Sequence, residues 1–567
     1  MGVRSFLEDR TGLGRLVRGA VGEEIPGGAR WAYVLGSALV AALAIQVLTG
    51  LGLMLTYSPG ATTAWGSVYF IENRVALGWL LRGMHHHGAQ AMVVVLGFHL
   101  LQVSLTGAYK RPREVNWWSG LCLLLLTQAF ALTGYLLPWD QKGFWATQVA
   151  TSILAVVAGD AARDLVVGGA ELGTATVTRF YALHVAFLPA ALVGLFALHL
   201  YLFRRHGVTP PPRADLSLRA RFHPDQLLKD LAAGLAVLLI VAWLAVLSHG
   251  APLDAPADPA SEYPARPEWY FLWLFVLLEH IGGRSQTLGL TIPAAVILYL
   301  FALPLLDRGE DRGIRARAPW VGSVVAIALG VVALTVWGLV ADARDEALQA
   351  ARAVADQRAR RAMALASSGI PPEGASELLR RDPETRGPEL FAEHCSECHR
   401  LGGRGGEKAS ELHFFGSRRW ILALVKDPAH PDFFGHTKHR GMEPQTELGE
   451  SALYAVATFL ESQGADGREV RDMTRIPAGE RIFRESCMDC HLFGHEGRAT
   501  GAADGPDLRG YGSEDWIRGQ LVAPDDPARY GESHEMPSFA EQLGPEEIEI
   551  LVQFVRRERR AGVSLHR

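Results

Sequence analysis

Seven long apolar runs occupy roughly the first 340 residues, at about 31–56, 84–107, 117–137, 184–203, 228–248, 287–306 and 319–341. Each is near the ~20 residues that a helix needs to cross a bilayer. Two shorter stretches break this rhythm. The stretch 152–167 is interrupted by Asp160, Arg163 and Asp164, and 271–278 is too short to span, so both are expected at the membrane surface or in re-entrant positions. From 342 to 387 the chain turns rich in Ala, Arg, Asp and Glu and reads as a charged helix and linker. Beyond it, 388–463 and 476–560 repeat one plan: a short helix, Cys-x-x-Cys-His, an irregular stretch holding a Met, and a closing helix. That is a tandem duplication. The pattern predicts an all-α protein: a membrane bundle of seven spans followed by two small α-helical domains. The expected divisions are an N-terminal segment at 1–30, four spans at 31–210, three spans at 211–341, a linker at 342–387, and small domains at 388–470 and 471–567.

Composition sharpens this picture. Mean hydropathy is +0.11, above the range of an ordinary soluble enzyme. The net charge of -5 gives no reason to expect nucleic acid as a partner. The basic N-terminal segment carries Arg4, Arg10, Arg15 and Arg18, with no short apolar region leading to a cleavage site. Lys110, Arg111 and Arg113 share one loop, Arg204, Arg205, Arg213, Arg219 and Arg221 a second, and Arg308, Arg312, Arg315 and Arg317 a third. These segments fall on one side, predicted to be cytoplasmic. Seven crossings then place the C-terminal half outside, in the periplasm of a bacterial inner membrane.

Ionisable residues inside spans are costly and usually functional. The second span holds His85 and His99; the fourth holds His184 and His199. At about 100° per residue, a separation of 14 returns within about 40° of its starting face, and one of 15 overshoots by about 60°. Each helix thus shows two histidines on nearly one face, near opposite membrane surfaces. Side by side, two such helices clamp two stacked b-type haems, one imidazole from each helix per iron. From His86 the angle to His99 is poorer, so His85 is the expected ligand. Gly36 and Gly50 in the first span, and Gly120 and Gly134 in the third, repeat the spacing of 14 and would let a flat macrocycle approach the backbone. Arg82 and Arg179 sit near the outer ends of the histidine helices, where haem propionates would lie.

The stretch Gly78-Trp-Leu-Leu-Arg-Gly-Met-His85 with His99, Gly134-Tyr-Leu-Leu-Pro-Trp-Asp-Gln141 and Thr178-Arg-Phe-Tyr-Ala-Leu-His184 resembles cytochrome b of the bc-type complexes. The second histidine spacing and Lys110-Arg-Pro-Arg-Glu114 look closer to the plastid-type split form, whose four-span and three-span parts are joined here. The resemblance covers roughly residues 20–340. It implies that His85 and His184 hold an outer, low-potential haem, and His99 and His199 an inner, high-potential one. Pro267-Glu-Trp-Tyr270 matches the family's quinol oxidation motif. By that resemblance Glu268 takes a quinol proton outward, and Pro267, Trp269, Tyr270 and Tyr135 shape the pocket. Phe222-His-Pro224 with Lys229 and Asp230 resembles the inner, quinone-reducing side, and Arg204 stands where some relatives place a quinone-contacting histidine. Val34 occupies the position where the plastid-type form carries the cysteine of an extra haem, so none is expected here.

Of five cysteines, Cys122 lies alone in an apolar run and reads as an inert core thiol. The others form Cys395-Ser-Glu-Cys398-His399 and Cys487-Met-Asp-Cys490-His491. Two thiols for thioether bonds and an adjacent imidazole for iron predict two covalent c-type haems. Zinc would need further ligands, and a redox thiol pair would not need the histidine. Met442 and Met536 follow their histidines at similar distances and are the expected sixth ligands, with His436, His439 and His534 as rivals. Both domains resemble small class I cytochromes c.

Together these features predict a quinol–cytochrome c oxidoreductase subunit with two b haems, two c haems and bound quinone. No Rieske cluster ligands are present, so a separate Rieske iron–sulfur protein is an expected partner. Others are membrane quinol, the lipid bilayer, a soluble cytochrome c or terminal oxidase, and a second copy in a homodimer. The alternative is a non-catalytic electron conduit linking another redox enzyme to periplasmic acceptors.

Overall fold

The computed structural model describes residues 3–11, 14, 22–261, 263–282, 286–437, 441–464, 472–494, 496, 505–530 and 534–564. The expected Arg15, Arg18 and His439 lie outside the described residues. The chain divides into two units, 1–376 and 377–567.

In the first unit seven helices are long and apolar enough to cross a membrane: Trp31–Met54, Gly78–Thr106, Glu114–Leu136, Thr174–His206, Phe222–Leu247, Gly289–Leu306 and Ala318–Arg344. Several begin before the apolar runs do, because helix geometry carries on through polar residues such as Arg82 at the membrane edge. Large apolar side chains such as Leu48, Val193, Leu247 and Leu298 face outward, the arrangement that lipid favours. The interrupted stretch forms the helices Gln141–Ala158 and Asp160–Val167, and the short one the helix Trp269–Gly282. Asp140 starts the first of these by accepting the Gly143 amide at 2.8 Å.

The first span packs against the second, and the third against the fourth, so each histidine helix has a glycine-bearing neighbour. The fourth span contains a π turn, Leu183–Phe187, around His184. Such a turn absorbs one residue beyond the α repeat. The separation of 15 between His184 and His199 therefore behaves like the 14 between His85 and His99, and both helices keep the same angle between their histidines.

Two basic residues counted for orientation are not free surface charges. Lys110 is 6% exposed and Arg317 1%. Lys110 Nζ pairs with Asp307 Oδ1 at 2.6 Å, and Arg317 donates to the carbonyls of Ser104, Leu105 and Arg312. These contacts tie the second, sixth and seventh spans together at one end. The charged stretch after residue 342 is also more than a linker. Asp345 caps the helix Glu346–Ala366 by accepting the Leu348 amide at 3.0 Å. Asp342 binds Arg266 at 3.1 Å and Arg352 at 2.7 Å. Arg74 donates to the Ser367 carbonyl, so this stretch packs back on the segment between the first two spans.

The second unit holds both Cys-x-x-Cys-His motifs around one continuous core that includes Leu390, Phe391, Trp420, Phe459, Phe483, Phe539 and Phe554. The two sequence repeats are not two separate bodies. The opening helix Arg386–His394 packs on the last helix, Pro545–Ser564, while the opening helix Ile476–Ser486 packs on Glu450–Gln463.

Candidate functional site

The ring centres of His85 and His184 are 6.3 Å apart. Two imidazoles bound to one metal at ~2.0 Å, with ~1.2 Å from nitrogen to ring centre, would lie ~6.4 Å apart. His99 and His199 are likewise within electrostatic reach of one another. A Cβ placed on Gly134 would sit 2.7 Å from His184 Cε1, on Gly50 3.2 Å from His85 Cε1, and on Gly120 3.3 Å from His199 Cε1. At Gly36 the nearest ring atom is 3.8 Å from that position. The four glycines therefore clear space beside the four rings.

The second ring nitrogen of three of these histidines is held by a hydroxyl from the neighbouring span. His85 Nδ1 meets Thr49 Oγ1 at 3.0 Å, His184 Nδ1 meets Thr133 Oγ1 at 3.0 Å, and His199 Nδ1 meets Ser119 Oγ at 2.9 Å. Each hydroxyl already donates its proton within its own helix, to the carbonyl of Ile45, Ala129 or Asn116. It must therefore accept from Nδ1–H. That fixes the tautomer and leaves the Nε2 lone pair free for iron. His99 differs. Its Nδ1 is buried with no hydrogen-bond partner among the described residues. Gln102, one turn on, donates its amide to the Ala32 carbonyl and keeps its side-chain oxygen as the nearest acceptor for the His99 ring, without the close contact that the hydroxyls make to the other three. These hydroxyls were missed in the sequence, yet the signal was there: Thr49, Ser119 and Thr133 each directly precede a spaced glycine, and only Gly36 follows an apolar residue, Leu35.

Glu268 lies at the same end of the bundle as His85. Its Oε1 pairs with Lys142 Nζ at 2.8 Å, with side-chain exposures of 13% and 34%. His86, next to His85, feels the charges of both. Tyr135 and Tyr270 face Glu268, and the Tyr135 hydroxyl is buried without a hydrogen-bond partner among the described residues. Trp269 stands edge-on to Tyr270 with ring centres 5.4 Å apart. Lys142 is the residue that sequence reading overlooked here. It directly follows the Pro-Trp-Asp-Gln segment but lies 126 positions from its partner.

Other expected residues are already engaged. Arg82 binds Glu72 at 2.9 Å and donates to the carbonyls of Ala251 and Pro252 at 2.7 and 2.6 Å. Arg179 donates to the carbonyls of Asp164 and Leu165. At the opposite end, Arg204 pairs with Glu23 at 2.6 Å, Lys229 donates to the Ala29 carbonyl at 2.7 Å, and Asp230 accepts from Gln226 at 2.9 Å. These three gather around the segment that precedes the first span.

In the second unit His399 Nδ1 lies 2.8 Å from the Ser410 carbonyl, and His491 Nδ1 3.0 Å from the Pro506 carbonyl. A carbonyl only accepts, so both rings are held with Nε2 free. Burial keeps both imidazoles below their ordinary pKa, hence neutral. Burial also pushes the Cys395 and Cys487 thiols up to about 11, unlike the depressed thiolate of a redox pair. No three-residue metal cluster of His, Cys, Asp or Glu occurs among the described residues. Met442 lines a small cavity with Cys487 and His491, the motif of the other repeat. His394, in the first opening helix, faces Phe539, three residues after Met536, with ring centres 6.5 Å apart.

Family models match most of the chain: cytochrome b(N-terminal)/b6/petB over residues 90–256, cytochrome b(C-terminal)/b6/petD over 256–354, cytochrome c over 384–464, and cytochrome c oxidase, cbb3-type, subunit III over 474–555. The menaquinol:cytochrome c reductase cytochrome b subunit of Geobacillus thermodenitrificans is 43% identical over 182 residues, covering 32% of this chain and 81% of that one. Cytochrome b6 of a Synechococcus species is 38% identical over 211 residues, covering 37% and 98%. The cytochrome bc complex cytochrome b subunit of Chlorobaculum thiosulfatiphilum is 36% identical over 288 residues, covering 49% and 66%. A solved chain described as hyperthermophilic respiratory Complex III superposes with a TM-score of 0.54 at 27% identity, covering 62% of this chain and 93% of that one. Paired span histidines, their glycine and hydroxyl neighbours and these matches converge: the chain is a multi-pass member of the cytochrome b family whose C-terminal part consists of cytochrome c domains.

Proposed function

We propose that this chain is the cytochrome b/c subunit of a quinol–cytochrome c oxidoreductase, oxidising membrane quinol by a bifurcated Q-cycle coupled to proton translocation. The observation that carries this reading is the Glu268 carboxylate held beside Tyr135 and Tyr270, at the end of the bundle where His85 and His184 face each other 6.3 Å apart. When bound, two b haems supply a one-electron path across the bilayer and two c haems a path outward.

The chain's own residues do the rest. His85 with His184, and His99 with His199, orient the b haems through Nε2. Glu268 Oε1 accepts a proton from the quinol hydroxyl, exchanging its bond to Lys142 for one to the substrate. The neutral Glu268 carboxylic acid then releases that proton to water at the pocket edge, and the carboxylate that re-forms pairs again with Lys142, which is one-third exposed. Tyr135, Tyr270, Trp269 and Pro267 bound the pocket and exclude water. At the inner end Asp230, with Lys229 and Arg204, serves quinone reduction as proton donor and anchors. Cys395 with Cys398, and Cys487 with Cys490, attach the c haems, and Met442 and Met536 complete them.

A separate Rieske iron–sulfur protein takes the first electron, a soluble cytochrome c or terminal oxidase receives the output, and two copies pair in a bacterial inner membrane. The N-terminus faces the cytoplasm and the c domains the periplasm. Fusing the c domains to the oxidising subunit raises the local concentration of acceptor.

Glu268→Gln keeps the shape of the side chain but removes its basicity. General acid–base groups contribute about 10²–10⁴-fold, so quinol turnover should fall by at least about 100-fold with visible haem spectra unchanged. Unchanged turnover would show that Glu268 is not the proton acceptor. Pyridine haemochrome assay of the purified protein should count two b and two c haems per chain. Copurification of a Rieske protein separates this reading from the electron conduit, which requires none.

A further inference from the structure

We propose that the two c-type sites are interlocked, with His399 completed by Met536 and His491 by Met442, so that each site takes its histidine from one repeat and its methionine from the other. This rests on the reading of both Cys-x-x-Cys-His motifs as covalent haem sites and goes beyond it in assigning the sixth ligands.

Three observations support the exchange. First, the helix pairs are crossed: Arg386–His394 is closed by Pro545–Ser564, and Ile476–Ser486 by Glu450–Gln463. The contacts are equivalent in both pairs. A Cβ on Gly387 would lie 2.7 Å from Phe554 Cβ, and Phe391 packs on Phe554 at 6.0 Å between ring centres. A Cβ on Gly479 would lie 2.0 Å from the Ala455 carbonyl, and Phe483 packs on Phe459 at 5.5 Å. In each pair the opening helix puts its glycine and phenylalanine on the closing helix of the other repeat.

Second, the ligand-bearing stretches follow the helices they precede. Met442 shares a cavity with Cys487 and His491, walled by Leu453 and Val456 from the first repeat's closing helix. A thioether on that wall borders the same space as His491 and would supply the second protein ligand of a haem held there. Third, on the other side, Phe539, just after Met536, faces His394 in the helix that leads into Cys395. Met442 and Met536 both pack against the shared core.

The consequence is mechanical. Neither c site closes without both repeats, so the two sites cannot swing apart as beads on a linker.

The test uses the full-length holoprotein. A Cys487→Ala/Cys490→Ala background removes one attachment site and should leave one c haem by pyridine haemochrome. In it, Met536→Ala should open the remaining reduced c haem to carbon monoxide at one site per chain, and Met442→Ala should leave it closed. Opening by Met442→Ala alone, by either variant, or by neither would overturn the crossed assignment. The mirror background, Cys395→Ala/Cys398→Ala, should give the reverse pattern. A second measurement covers the case in which these backgrounds do not fold. With a protease site inserted between residues 464 and 472 of the otherwise native holoprotein, the two cleaved fragments should copurify in detergent, and separation without denaturant would overturn the exchange. A parent protein lacking covalent c haem would instead sink the underlying reading of the motifs.

Discussion

The two units hold the imidazoles proposed as haem ligands by different partners. In the spans, His85, His184 and His199 are fixed at Nδ1 by the hydroxyls of Thr49, Thr133 and Ser119. In the second unit, His399 and His491 are fixed at Nδ1 by the backbone carbonyls of Ser410 and Pro506. The difference follows from where each ring sits. Inside a lipid-buried helix the carbonyls already serve the helix ladder, and the neighbouring span offers each of these three rings a side-chain hydroxyl. In an irregular loop, carbonyls are unspent and one can be aimed at the ring. Orientation in the membrane therefore depends on particular residues, whereas in the c-type sites it depends on the path of the chain.

The strongest way to break the membrane side of this comparison is to fill its space rather than cut its bond. Gly134→Val would put a branched side chain where even a Cβ lies 2.7 Å from His184 Cε1. Overpacking costs about 1–3 kcal/mol, and here it also pushes a ligand out of line. The expected outcome is loss of the outer b haem, a haemochrome count falling from two b haems to one with both c haems kept. Gly36→Ala meets its nearest ring atom at 3.8 Å, an ordinary contact, and should keep both.

Cutting the bond alone should do less. Thr133→Val keeps the shape of the side chain and removes the hydroxyl that accepts from His184 Nδ1–H, a cost of about 0.5–1.5 kcal/mol. Partners of this kind alter metal affinity by about 10–100-fold. The variant should therefore lose b haem that much more readily under detergent dilution, and Thr133→Ser should restore retention. If Thr133→Val holds haem as the parent does, the hydroxyl does not orient the ring.

The same contrast explains what could be read in advance. The seven spans, the four histidines and the two Cys-x-x-Cys-His motifs were legible because apolar length and residue spacing are local properties. The hydroxyls were legible in principle, since Thr49, Ser119 and Thr133 stand immediately before the spaced glycines. The odd separation of 15 in the fourth span was visible as a misfit, but the π turn that resolves it was not. Partners far apart in the chain were not legible at all. Nothing near Glu268 announces Lys142. Nor can two repeats with one plan reveal which closing helix each will take, because identical apolar patterns satisfy either pairing. The carbonyls of Ser410 and Pro506 carry no sequence signature, since every residue has one.

That last point gives the smallest expected effect and the sharpest contrast with Thr133→Val. Ser410→Ala deletes a hydroxyl at a residue that contacts an imidazole at 2.8 Å, just as Thr133→Val does at 3.0 Å. Judged from side chains alone, the two changes look equivalent. The acceptor at 410, however, is the backbone oxygen, which alanine retains in the same place. Ser410→Ala should thus shift stability by no more than about 0.5 kcal/mol, the range of an innocuous substitution. The spectrum and carbon monoxide reactivity of the c haem bound by His399 should match the parent. A clear spectral change would mean that the serine hydroxyl also takes part in holding His399, and the division between side-chain and backbone anchoring would then fail on the soluble side.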